Sequence, residues 1–152
     1  MDIVRMQQVM QRFDKASFTV NKRFSSLIRE QIQDELTMDQ LNMMRYLQNF
    51  SPCTTTELAD AFCVNKSAIT AIITRMTEKN YIKRVRDRKD RRIVYLTLTA
   101  EGQRVFQWAE EKVFIIVSSY LQQFSEDEIE TFLSLYEKLS GMLQGTEGEK
   151  TT

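Results

Sequence analysis

Apolar residues recur at helical spacing along most of this chain and switch to a strand-like pattern only near the middle. Ile3, Met6, Met10 and Phe13 lie three or four residues apart, and Phe24, Leu27 and Ile28 resume the stripe, so the first third reads as helix broken once or twice. Thr37 is placed to cap a second helix bearing Leu41, Met44, Leu47 and Phe50. Ser51-Pro52 ends it, because proline disfavours the helical conformation in the residue before it. Thr54-Thr55-Thr56-Glu57 matches a capping box, in which Thr54 caps the helix and Glu57 reaches back to the Thr54 amide. The helix it opens, Thr55 to about Phe62, is short and carries Leu58, Ala59 and Phe62 on its inner side. Cys63-Val64-Asn65 breaks it, and Asn65 caps the next helix, whose apolar stripe is Ile69, Ile72, Ile73 and Met76.

Asn80 tolerates the left-handed conformation that stops helices. Two β-like runs follow, Tyr81 to Val85 and Ile93 to Leu98, separated by Asp87-Arg88-Lys89-Asp90-Arg91-Arg92. A connection so charged projects into solvent or onto a polyanion, because burying that many unpaired ions costs more than a domain's whole stability. Thr99-Ala100-Glu101-Gly102 then begins a long helix with Val105, Phe106, Ala109, Val113, Ile116, Val117, Tyr120 and Leu121 inward. Ser125-Glu126-Asp127-Glu128 is a second capping box, before a helix carrying Ile129, Phe132, Leu133, Tyr136, Leu139 and Leu143. The polar residues 145–152 read as a disordered tail.

On the helix after Asn65, the face opposite the apolar stripe centres on Ser67, Ala71, Thr74 and Glu78, flanked by Thr70 and Arg75. A slim polar face of this kind can approach base edges in a major groove, whereas a purely solvated face more often carries Lys and Glu. Two short helices joined by a tight turn make a helix-turn-helix, and a hairpin directly after the second makes it a winged helix. The predicted fold is mainly α with a small β wing. One domain spans 1–144, with the winged helix-turn-helix at 37–98 and flanking helices at 1–36 and 99–144. The flanking helices have more apolar surface than a core of this size can cover, and pairing with a second copy buries it. A dimer also sets two recognition helices in successive major grooves, roughly 34 Å apart.

Charge sharpens this picture. From Phe62 to Arg92 there are ten basic residues against three acidic ones, yet the whole chain sums to zero. A neutral protein with one concentrated basic segment is a localised anion binder, and nucleic acid is the first candidate. The alternative is a winged-helix module whose basic wing docks an acidic protein. Histidine is absent, which removes the commonest general base and zinc ligand, and the four glycines form no phosphate loop. Cys53 and Cys63 lack the close pairing of a metal or redox motif. The reading is therefore of a protein with no metal, no cofactor and no enzymatic site. No apolar run approaches the roughly 20 residues of a membrane span and no apolar signal core follows Met1, so a cytoplasmic location is expected.

The run Asp87 to Arg92, followed by Tyr95-Leu96-Thr97-Leu98-Thr99-Ala100-Glu101-Gly102, resembles the wing and exit signature of the MarR family of bacterial transcriptional regulators. The likeness extends back through Glu57-Leu58-Ala59, Val64-Asn65-Lys66-Ser67, Ile69-Thr70 and Arg75-Met76-Thr77-Glu78-Lys79. It implies a homodimer that binds inverted-repeat double-stranded DNA, usually as a repressor. On this resemblance Asp90 braces the wing through ion pairs and Arg92 enters the minor groove, while Arg75 contacts phosphate or pairs with a wing acid. The full set assigned to DNA is Asn65, Lys66, Ser67, Thr70, Ala71, Thr74, Arg75, Lys83, Arg84, Arg86, Arg88, Lys89, Arg91 and Arg92, with Asp87 and Asp90 as braces. Asn80 departs from the family's usual glycine, and Cys63 stands where a small residue is common. Many relatives are released from DNA by small phenolic or aromatic ligands, for which Tyr46, Phe106, Trp108 and Tyr120 are candidate lining residues, although aromatics so spaced are more often core. Others respond to oxidation of a cysteine near the N-terminus. This chain has none before Cys53, whose place before a helix N-terminus would lower its thiol pKa and makes it the candidate redox residue.

Overall fold

Residues 2–145 are described by the computed structural model, and side-chain caps open most of its helices. α1 (Ile3–Ile32) starts where the Asp2 carboxylate accepts from the Arg5 amide at 2.7 Å. It runs unbroken for 30 residues, where the apolar pattern predicted one or two breaks. The polar stretch around Asp14–Arg23 interrupts the stripe but contains no proline or glycine, so the helix continues through it. α2 (Met38–Phe50) opens with a capping box: Thr37 Oγ1 accepts from the Gln40 amide at 3.2 Å, and Gln40 Oε1 accepts from the Thr37 amide at 3.1 Å. This bond satisfies Gln40, the one buried polar residue in the core of the described chain.

β1 (Cys53–Thr54), which sequence periodicity did not reveal, leads into α3 (Thr55–Ala61). The expected capping box is present, with Thr54 Oγ1 3.2 Å from the Glu57 amide and Glu57 Oε2 2.6 Å from the Thr54 amide. α4 (Lys66–Glu78) is capped by Asn65, whose Oδ1 accepts from the Ala68 amide at 2.9 Å. β2 (Ile82–Arg86) and β3 (Val94–Leu98) form the hairpin, and α5 (Ala100–Leu121) and α6 (Glu126–Gly145) follow. The sheet is antiparallel in the order β1-β3-β2, pairing Cys53 with Leu96 and Arg84 with Leu96.

Both α3 and α4 stop in the same way, with a non-glycine residue in the left-handed region: Cys63 at φ 52° and Asn80 at φ 60°. In each, the next amide bonds five residues back, Val64 to the Ala59 carbonyl at 3.1 Å and Tyr81 to the Met76 carbonyl at 2.8 Å, as in a Schellman motif. The first of these stops, with the Asn65 cap, makes the tight turn of the helix-turn-helix.

The described residues divide into two units at Val113, within α5. The core of the first comprises Ile28, Ile32, Leu36, Leu41, Met44, Leu47, Leu58, Ile69, Ile73, Met76, Ile82, Leu96 and Val105, all buried. Thr99 Oγ1 caps the start of α5 by accepting from the Gly102 amide at 2.9 Å. The second unit holds the rest of α5 and α6, whose capping box joins Ser125 and Glu128 as predicted. No side chain of α6 is buried within this single chain, and Phe132 and Leu143 are each 62% exposed. Of the residues expected inward on α5, only Val105 and Ala109 are buried. Among the polar residues 145–152, Gly145 closes α6 rather than beginning a tail, and 146–152 lie outside the described residues.

Candidate nucleic-acid interface

Three buried side chains, Ile69, Ile73 and Met76, press one side of α4 into the core, and this fixes which side faces out. Ser67, Thr70, Ala71, Thr74 and Arg75 are all exposed, as the helical spacing predicted, together with Asn65 and Lys66 at the N-terminal end. From Ser67 to Thr74 no central residue of this face is longer than threonine, which leaves room for close approach to a groove floor, and the longer Glu78 lies at the last residue of the helix. Arg75 makes no ion pair among the described residues, so its expected pairing with a wing acid is not found and its charge stays at the surface.

The wing is shaped by its two acids. Asp87 Oδ1 accepts from the amides of Lys89 at 2.7 Å and Asp90 at 2.9 Å, which turns the chain. The Asp87 amide bonds the Ile93 carbonyl and the Ile93 amide bonds the Asp90 carbonyl, both at 3.0 Å, closing the loop. Asp90 binds Arg92 through its Nε at 3.1 Å and Nη2 at 3.2 Å, a forked pair on an exposed tip. The Arg92 side chain nonetheless remains 92% exposed. Its hydrogen bonds hold the Asp90 carboxyl below the usual aspartate range. Arg88, Lys89 and Arg91 are exposed around it, while Arg86 turns back to donate from Nη1 to the Arg91 carbonyl at 3.3 Å.

The structure separates two basic residues that the sequence treated alike. Successive residues of a strand point to opposite faces. Arg84 and Arg86 thus share the side of β2 that carries buried Ile82, whereas Lys83 shares the other with Val85, Tyr95 and Thr97. Lys79, counted in the basic segment, turns away from it: its Nζ donates to the Glu35 carbonyl at 2.7 Å and lies 5.6 Å from the Tyr81 ring centroid.

Cys53 does not bear out the expectation of a lowered pKa. It is 2% exposed in β1, and burial, with Glu57 adding, pushes its thiol up to about 11. The helix N-terminus beside it is outweighed because a thiolate there would be stripped of water. Cys63 is the exposed thiol. Of the aromatic residues, Tyr46 packs on Phe50 at 4.7 Å and on Phe62 at 5.9 Å between ring centroids, and Phe106 and Trp108 are half-buried on α5. No group of three or more metal-ligating side chains occurs among the described residues.

Beyond geometry, the sequence profile described as the MarR family matches residues 36–94, the span from just before α2 to the first residue of β3. The chain is 30% identical over 132 residues to the HTH-type transcriptional regulator YpoP of Bacillus subtilis, covering 87% of this chain and 94% of that one. It is 32% identical over 94 residues to the HTH-type transcriptional repressor MdtR of Bacillus subtilis, 62% of this chain and 61% of that one. A mutant MarR of E. coli, solved in complex with operator DNA, shares the fold with a TM-score of 0.72 at 20% identity, covering 91% of this chain and 99% of that chain. These relatives do not favour the reading as a module that docks an acidic protein. With its capped helix-turn-helix and braced wing, the chain belongs to the MarR family and is a DNA-binding transcriptional regulator.

Proposed function

We propose that this chain acts as a homodimeric repressor of inverted-repeat promoters, with α4 of each protomer in a major groove and Arg92 of each wing in the adjacent minor groove. The observation that carries the reading is the exposed Arg92, held by Asp90 at the tip of the wing, on the same unit as the slim face of α4. A narrow minor groove concentrates negative potential and attracts arginine, while small hydroxyl side chains on α4 suit base edges. Repression is favoured by the name of MdtR. Dimerisation is supported by the apolar side chains that each flanking helix leaves in water: Ile3, Met10, Phe13 and Phe18 on α1, and Phe132, Tyr136 and Leu143 on α6. Release by a small phenolic or aromatic ligand and action in the cytoplasm complete the proposal. No described helix is long and apolar enough to cross a membrane.

Selection of a random duplex library on the protein tests this reading. The expected product is an inverted repeat whose half-sites lie one helical turn apart, bound with an affinity that falls steeply with salt and is weakened by a phenolic ligand. Enrichment of no sequence, or of a single half-site bound by a monomer, would overturn it.

A further inference from the structure

The C-terminal end of α4 is tied down on two sides by residues outside the surface assigned to DNA. On one side, the Tyr81 hydroxyl donates to Glu35 Oε2 at 2.5 Å, and Lys79 Nζ donates to the Glu35 carbonyl, so the segment between α1 and α2 grips the residues that leave the helix through its side-chain and backbone oxygens. On the other, the Thr99 amide bonds the Tyr81 carbonyl at 3.0 Å, and Thr99 Oγ1 bonds the Asn80 carbonyl at 2.5 Å. Gly102 sits against that same Tyr81 carbonyl so closely that a Cβ there would overlap its oxygen and lie 2.9 Å from its carbon. Tyr81 is 5% exposed, so its ring is the pin between the two ties.

We propose that Glu35 and Tyr81 are positioning residues for operator recognition: their hydrogen bond, set against the seat of Gly102 on the Tyr81 backbone, fixes the tilt at which α4 presents Ser67, Thr70 and Thr74. The proposal rests on the DNA-binding reading above and deepens it. α4 has 13 residues, about 20 Å of helix, and Tyr81 lies just beyond the end opposite Ser67. A tilt of about 5° at the Tyr81 end moves the far end by roughly 1.7 Å, more than a hydrogen bond to a base edge tolerates. Long lysine and arginine side chains follow a phosphate through such a displacement, so the tie matters to sequence-specific affinity and little to non-specific affinity.

The test is a double-mutant cycle read by fluorescence anisotropy on two duplexes, one selected by the wild-type protein from a random library and one of the same length with that sequence scrambled. Tyr81→Phe is expected to weaken binding to the selected duplex about tenfold, the scale of one hydrogen bond to a charged group, and to leave the scrambled duplex within about twofold. Glu35→Ala matches it, the double variant is no worse than the poorer single one, and Glu35→Gln, which keeps an acceptor, stays near the wild type. A thermal melt sets the assay temperature below unfolding, and Glu35→Ala carries the test by itself if Tyr81→Phe does not fold. Unchanged affinity for the selected duplex, equal losses on both duplexes, or additive losses in the cycle would each overturn the proposal. Failure of the wild type to select any sequence would overturn the DNA-binding reading and this proposal together.

Discussion

Asp90 holds Arg92 at three points: its Oδ1 accepts from the Arg92 backbone amide at 3.0 Å and from Nε at 3.1 Å, and its Oδ2 accepts from Nη2 at 3.2 Å. Both bonds from the side chain favour the ionised carboxylate, and the amide bond adds to them. The sign follows: a carboxyl whose folded pKa is depressed contributes order that is present above the ordinary aspartate range and is lost only as pH falls through the lower folded value. An NMR titration of the Asp90 carboxyl is expected to give a midpoint below that of an unperturbed aspartate, and Arg92→Ala, which removes the side-chain bonds and keeps the amide bond, is expected to raise it towards the ordinary range. Equal midpoints in the two proteins would show that the pair does not persist in solution.

Arg92→Ala is expected to reduce affinity for a selected duplex by about 10- to 100-fold, the range for one specific contact. Ser67→Ala or Thr70→Ala is expected to change which base is preferred, while Lys83→Ala weakens every sequence alike and lowers the salt slope by about one. Arg84 lies on the opposite side of β2 from Lys83, so its replacement is not expected to match Lys83→Ala. Titrations on matched and scrambled duplexes at several salt concentrations separate these classes.

The buried Cys53 thiol, with a pKa pushed up to about 11, is expected to resist iodoacetamide at pH 8 while exposed Cys63 reacts. Peptide mass mapping reads the difference, and both cysteines label in denaturant. Tyr81 is likewise raised, to about 12, first by burial and then by its bond to Glu35. Raised folded pKa values make stability fully present below the ordinary thiol and phenol values and lost as pH rises through about 11 and 12. Denaturant melts from pH 8 to 11 are expected to show that decline, reduced in Tyr81→Phe.

Two backbone positions carry opposite steric demands. Gly102→Ala is expected to cost about 1–3 kcal/mol, because the methyl group meets the Tyr81 backbone rather than a movable side chain. Cys63 already occupies the left-handed region at φ 52°, so Cys63→Val is expected to cost about 1–2 kcal/mol while Cys63→Gly costs nothing or stabilises. Urea denaturation of the three variants checks both.

Much of this was legible in the residues. Caps announce themselves locally, which is why Thr37, Thr54, Asn65 and Ser125 all open helices as expected. The outward face of α4 follows from the spacing of Ile69, Ile73 and Met76, and Asn80 from its tolerance of positive φ. What periodicity could not show depends on partners distant in sequence. β1 is two residues long and exists because β3 pairs with it. The bond of Lys79 to the Glu35 carbonyl and the grip of Glu35 on Tyr81 join residues 44 and 46 positions apart, and no local rule marks them. Gly102 was the one visible signal at that junction, a glycine in the first turn of a helix where nothing local requires one. Cys53 misled because its place before a helix was visible and its burial was not.

Footprinting of the wild-type protein on its selected duplex, with dimethyl sulfate for guanine N7 in the major groove and hydroxyl radical for the sugars that line the minor groove, tests the central claim most directly. Two protected major-groove patches, centred about 10 base pairs apart and each flanked by a protected minor groove that reopens in Arg92→Ala, are the expected result. Unprotected DNA, or a footprint in which the flanking minor grooves stay protected without Arg92, would contradict it.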